Sequence, residues 1–257
     1  MNDSIRTRIV LTALLLVAAA CVIVGCNDGE QMSPVEKALA EYRAMPVEER
    51  EPALRELAAS GPDNEAFGWY GLGNMYYERS QNENVPPGPE TRTGESALLD
   101  SAVTFFEAAI AADSTMVEAW VNMGLIWDDI SDGRTPQARQ AIDLAREAYT
   151  TAIELAPEDE KARCNLGSLF FRRHLYPEAI EQFKAVLDSN PESALAHYNL
   201  AILFAESRMY REALVEWEAA VDSDPDGDIG ERSRDNIKVI EELMNSEIPA
   251  ELTQGGH

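Results

Sequence analysis

From residue 66 onward the apolar positions return in steps of three and four, the spacing of one face of an α-helix, and they do so in paired segments. Trp69, Leu72 and Tyr76 form one such stripe, and Trp120, Met123 and Trp127 form the next. Arg163, Leu166 and Phe170, then His197, Leu200 and Phe204, keep the same spacing with a polar residue at the head of the stripe. Each stripe is followed by a second one that pairs a small residue with a large ring: Ala102 and Phe106, Ala145 and Tyr149, Ala179 and Phe183, Ala213 and Trp217. The pattern predicts helix after helix and no strands, because runs of β-branched residues are scarce. Ahead of it, residues 34–60 read as two short helices with Leu39, Tyr42, Leu54 and Leu57 as their apolar faces. Behind it, Ile237, Ile240 and Leu243 between charged residues predict a last amphipathic helix.

A small residue sits inside each first stripe, at Gly73, Gly124, Gly167 and Ala201, where it lets a partner helix approach. Pro157, Pro191 and Pro225 close the last three pairs, since proline lacks an N–H and cannot continue a helix, and Ser114 stands at that place in the first. The resulting motif, W-x₂-L-G-x₂-Y then A-x₃-F then P with a 34-residue period, resembles the tetratricopeptide repeat. That resemblance implies an all-α fold, a right-handed α-solenoid of helical hairpins with a C-terminal capping helix. It divides the chain into a hairpin or degenerate repeat at 34–65, repeats at 66–116, 117–159, 160–193 and 194–227, a capping helix at 228–248 and a tail at 249–257. The first two repeats are over-long, which places inserted segments around residues 79–99 and 129–140. Pro86-Pro87-Gly88-Pro89 predicts an exposed, partly extended loop in the first of them. Nothing between residue 34 and the C-terminus reads as a flexible linker, so a single continuous body is expected.

The first residues carry an address. Arg6 and Arg8 precede the apolar run from Ile9 to Val24, which ends in Ile23-Val24-Gly25-Cys26. A charged start and an apolar centre are export features, and the ending resembles a bacterial lipobox. This implies a signal peptide at 1–25, lipid on Cys26 and a tether at 26–33. Cys21 fits the box less well, because Ala18-Ala19-Ala20 lacks the aliphatic residue at its first position. An uncleaved membrane helix is the competing reading, at the short end of what a span requires. Both place the body outside the cytoplasmic membrane, lipid-anchored on the periplasmic face in the first reading, and Asn27 in place of Asp tilts the choice to the outer membrane. With Cys21 removed and Cys26 acylated, Cys164 is the remaining thiol and no internal disulfide can form.

Charge narrows the partners. Forty-six acidic residues against 21 Lys and Arg give a formal charge of −25, which disfavours nucleic acid and suits a soluble surface or a basic partner. Signatures of catalysis are missing: there is no phosphate-binding glycine loop, no H-E-x-x-H and no G-x-S-x-G. His174, His197 and His257 are the available imidazoles, and His197 occupies an aromatic slot of the repeat, where packing is the simpler role. No enzyme and no cofactor are expected, with chemistry hidden in the inserted segments as the alternative.

Two sets of residues stand out as candidate sites. Asn122, Asn165 and Asn199 share one repeat position, two residues before the Gly or Ala, which the family resemblance places on the concave groove. An amide offers a donor and an acceptor, matching the two groups of a peptide bond, so the row suits an extended peptide, and Asn74 extends it. Asn74, Asn122 and Lys161 also match the family's clamp for a C-terminal carboxylate, whereas Tyr70 and Asn165 stand where it has cations. Carboxylate specificity is therefore not expected. The second set is Asp222, Asp224, Asp226 and Asp228 with Gly227, the opening of a calcium loop. Ser233 stands where its bidentate Glu belongs, so a calcium-stabilised structural lipoprotein is a lesser alternative to a scaffold for protein binding.

Overall fold

The computed structural model describes residues 34–81, 91–131 and 136–247. The signal segment, Cys26, Pro86-Pro87-Gly88-Pro89 and His257 lie outside them. The described residues form α1 (Pro34–Arg43), α2 (Val47–Ala59), α3 (Pro62–Gln81), α4 (Thr91–Ala112), α5 (Val117–Ser131), α6 (Pro136–Leu155), α7 (Glu160–Arg172), α8 (Tyr176–Ser189), α9 (Ala194–Glu206), α10 (Tyr210–Ser223) and α11 (Asp228–Glu247). No strand occurs among them, and no helix among these residues is long and apolar enough to cross a membrane.

Where one body was expected, the chain divides into two compact units, and the division falls between Asn165 and Leu166, inside α7. The absence of a linker is thus retained while the single body is not. A stack of hairpins touches mainly its sequence neighbours, so it has no common centre to bind its two ends.

In the unit of residues 31–165, α3 pairs with α4 and α5 with α6, while α2 packs on α3 from the N-terminal side. Leu39 and Leu54 are almost fully buried against Tyr70, Leu72 and Phe106. A second, smaller cluster joins Val121, Ala152 and Ala162. In the unit that begins at Leu166, α9 pairs with α10, and α11 covers α10 with Ile240 fully buried beside Trp217 and Tyr198. Each large side chain so removed from water contributes roughly 1.5–3 kcal/mol.

The small-residue positions work by contact. A Cβ added to Gly73, Gly124 or Gly167 would stand 2.7, 2.5 or 2.5 Å from the rings of Phe106, Tyr149 and Phe183. The ring of each second helix therefore lies directly on the backbone of the first. Leu155, Ser189 and Ser223 end their helices two residues before Pro157, Pro191 and Pro225. The turns inside the last two hairpins are built alike. Leu175 N–H reaches Phe170 O at 2.9 Å and His174 N–H reaches Phe171 O at 2.9 Å, a Schellman closure that puts His174 at φ 59°. Arg208 repeats it at φ 59°, with Met209 N–H on Phe204 O at 2.8 Å.

The head of the first stripe in each of the last three pairs turns out to be a donor position more than an aromatic one. Trp120 Nε1 donates to Ser114 O at 3.1 Å, Arg163 Nε to Pro157 O at 2.8 Å, and His197 Nε2 lies 3.0 Å from Pro191 O. All three nitrogens meet the carbonyl six residues back, on the residue that closes the preceding hairpin. His197 therefore does more than pack: its other nitrogen meets the Glu216 carboxylate at 2.7 Å.

The inserted segments mostly lengthen helices. α3, α4 and α6 run for 20, 22 and 20 residues, against 13 or 14 in α7 to α10. Residues 91–99 and 136–140, expected within the insertions, are helical. Ser96, Ala97, Leu98 and Leu99 share the helical composition of the residues after them, and a slip in repeat register marks added length without saying whether it coils.

Candidate peptide-binding face

The expected row of asparagines is not uniform. Asn122, on α5, donates from Nδ2 to Asn74 Oδ1 at 2.7 Å and to the Tyr70 hydroxyl at 3.0 Å. Both acceptors lie on α3. An amide expected to line an open groove is half-buried and spent inside the molecule. Seven residues further along the same face of α5, Asp129 accepts from the Tyr77 hydroxyl at 2.6 Å and from Gln81 Nε2 at 3.1 Å. α3 and α5 are therefore stitched at two levels by polar side chains. Burial, then the neighbouring Asp129 charge and hydrogen bond, push the Tyr77 phenol well above its ordinary range.

Asn165 differs for a reason visible in the sequence. Where the first repeat offers Tyr70 and Asn74 to the following Asn, the second has Val121 and Leu125, which can neither donate nor accept. No hydrogen bond among the described residues engages the side chain of Asn165 or of Asn199. Both are half-buried. Lys161, one turn before Asn165 on α7, is exposed. Asp159 caps the same helix, accepting from Ala162 N at 2.7 Å, and burial with the nearby Glu118 charge raises its carboxyl above the usual range. In the unit beyond Leu166, Asn199 follows the buried Tyr198, whose hydroxyl receives Asn236 Nδ2 at 3.5 Å and whose ring lies under Arg232 at 5.5 Å.

The clamp residues are brought together only in part. Asn74 and Asn122 touch each other, and their bond consumes the Asn74 oxygen, while Lys161 remains on the exposed start of α7. The aspartates of the calcium reading do not converge. Asp222 belongs to α10, Asp224 turns inward so that its Oδ2 accepts from Gly230 N at 3.1 Å, and Asp228 pairs with Arg232 at 3.5 Å. Helix α11 starts at Asp228, whereas a calcium loop must stay open beyond its seventh position to bring in the last ligand. Ser233, at the place of that ligand, is fully buried. Among the described residues no group of three or more His, Cys, Asp or Glu is placed to hold a metal ion. Asp222, Asp224, Asp226 and Asp228 are thus not brought together as one ligand set. Cys164 is buried in α7.

Sequence reasoning missed the Tyr77, Gln81 and Asp129 stitch. The signal was present: Asp129 follows Asn122 by two helical turns and shares its face. It also missed Arg50, whose guanidinium holds the end of α1 through Arg43 O at 2.8 Å and Met45 O at 3.3 Å and pairs with Glu78 of α3 at 3.3 Å.

Residues 137–185 and 164–228 match the family model described as tetratricopeptide repeat. No curated protein sequence matches the chain. Among solved structures, a thermophilic TPR protein of Thermus thermophilus is similar at a TM-score of 0.58 and 12% identity, covering 89% of this chain and 99% of that one. MamA is similar at a TM-score of 0.50 and 16% identity over 76% and 97%. At such identities the likeness is one of fold.

Proposed function

Because the chain is built of tetratricopeptide repeats, we propose that it is a protein-binding scaffold which holds an extended peptide segment of a partner on the first helices of its repeats. The observation that carries this reading is the contrast between Asn122, whose amide is engaged, and Asn165 and Asn199, whose amides are not. An amide without a protein partner is held by water alone in the free protein. A peptide bond beside it supplies both missing partners. The grip falls on the backbone, so it tolerates varied side chains, and the formal charge of −25 favours a basic partner.

The sequence ending at Cys26 supports a lipid anchor for this scaffold in the bacterial cell envelope, facing the periplasm, with the outer membrane favoured by Asn27. The scaffold works without catalysis in this reading. A photo-crosslinking residue at position 165, compared in cells with one at the exposed Glu181 on α8, tests it. The captured partner, measured by calorimetry, should bind the Asn165→Ala variant roughly 2- to 10-fold more weakly, the cost of about one hydrogen bond. Equal capture from both positions together with unchanged affinity would remove the first helices as the binding face.

A further inference from the structure

A small cleft opens where α1, α2 and α3 meet, lined on its apolar side by Leu39, Leu54 and Met75 and on its polar side by Arg50, Asn74 and Glu78. Gly71 lies on its lining, where the other repeats have asparagine. A Cβ there would stand 2.6 Å from a Leu54 methyl, so α2 could not come so close. Two donors on the lining residues, Arg50 Nε and Asn74 Nδ2, are shielded from solvent and have no acceptor. Each is held from behind. The Asn74 oxygen receives Asn122, which fixes which end of the amide is left over, and the other Arg50 nitrogens hold Glu78, Arg43 O and Met45 O.

Two N–H groups left without a partner call for an oxygen with two lone pairs. The Glu78 carboxylate already stands at 3.3 Å from Arg50 and disfavours a second anion, so a neutral oxygen fits better than a carboxylate. We propose that this cleft is a subsite for an amide carbonyl, in which Arg50 Nε and Asn74 Nδ2 donate to one oxygen while Leu39, Leu54 and Met75 cover the carbon beside it. The subsite deepens the peptide-scaffold reading, since the carbonyl is one of the bound segment's own. It recognises backbone, or an Asn or Gln side chain, by the same chemistry.

The side-chain ¹H–¹⁵N resonances of Arg50 Nε and Asn74 Nδ2 in the full chain report the cleft directly. Titration with N-methylacetamide should shift both along one saturating curve, and sodium acetate should need several-fold higher concentrations. Asn74→Asp leaves an oxygen for Asn122 and removes the donor, so the fold and melting temperature should be kept while the Arg50 response to the amide falls at least fivefold. A linear or absent shift means that the cleft holds water alone and overturns the proposal, as does an unchanged response in Asn74→Asp or a preference for acetate. Short capped peptides extend the test: a blocked glycine peptide and one with a single Gln separate backbone from side-chain carbonyls. Because the probe is a small amide, failure here leaves the partner measurement at Asn165 untouched, and failure at Asn165 leaves these resonances to be read on their own.

Discussion

Asn122 Nδ2 lies 2.7 Å from Asn74 Oδ1, and this bond joins α5 to α3 across 48 residues of sequence. Its loss strands the acceptor on Asn74. Asn122→Ala should therefore lower stability by about 1–3 kcal/mol, whereas Asn165→Ala should stay within about 0.5 kcal/mol of the parent. Thermal unfolding by calorimetry separates them, and equal melting temperatures would dissolve the distinction between engaged and open amides.

The second expectation concerns the ring that lies on Gly167. With a Cβ already 2.5 Å from the Phe183 ring, Gly167→Leu should cost at least about 1–3 kcal/mol by overpacking. Combining it with Phe183→Ala makes room for the leucine, so the pair should be less damaging than the sum of the two single changes. Strict additivity in chemical denaturation would mean that the two side chains do not meet.

Alkaline titration provides a third test. Tyr77 is raised in the folded protein by burial first and by Asp129 second, relative to an ordinary value of 10.0. A group raised on folding supports the native state fully below its unfolded value, and that support is lost as pH climbs above about 10. Stability should fall through that range, and Asp129→Asn should flatten the fall while moving the Tyr77 phenolate absorbance to lower pH. An Asp129→Asn profile that overlays the parent's would show that the carboxylate does not act on the phenol.

Cys26→Ala should release the protein from membranes, because the box that ends at Cys26 is the place where acyl chains are expected. Fractionation of cells expressing the variant checks this. A lipid-labelled, membrane-bound variant of unchanged size would return attention to Cys21.

Much of the helical order is written in short-range chemistry. The spacing of Gly73, Gly124 and Gly167 against Phe106, Tyr149 and Phe183 requires helical hairpins, and Pro157, Pro191 and Pro225 state where they end. What one position does was harder to read. Asn122 and Asn165 look identical along the chain, yet whether each is engaged depends on Tyr70 and Asn74, or Val121 and Leu125, one repeat earlier. The run of Asp222, Asp224, Asp226 and Asp228 has two readings for a related reason. A ligand loop and a helix start use the same acidic turn residues, and only the point where α11 begins distinguishes them.

The ties from Trp120 to Ser114, Arg163 to Pro157 and His197 to Pro191 all run backward along the chain. During synthesis each acceptor carbonyl leaves the ribosome before the nitrogen that will use it, so every new hairpin arrives at a site already made. Erosion from the two ends is then unequal. Trimming hairpins from the C-terminus leaves earlier ones with all such bonds, while trimming from the N-terminus strands a donor at each cut, giving the array a built-in direction of assembly.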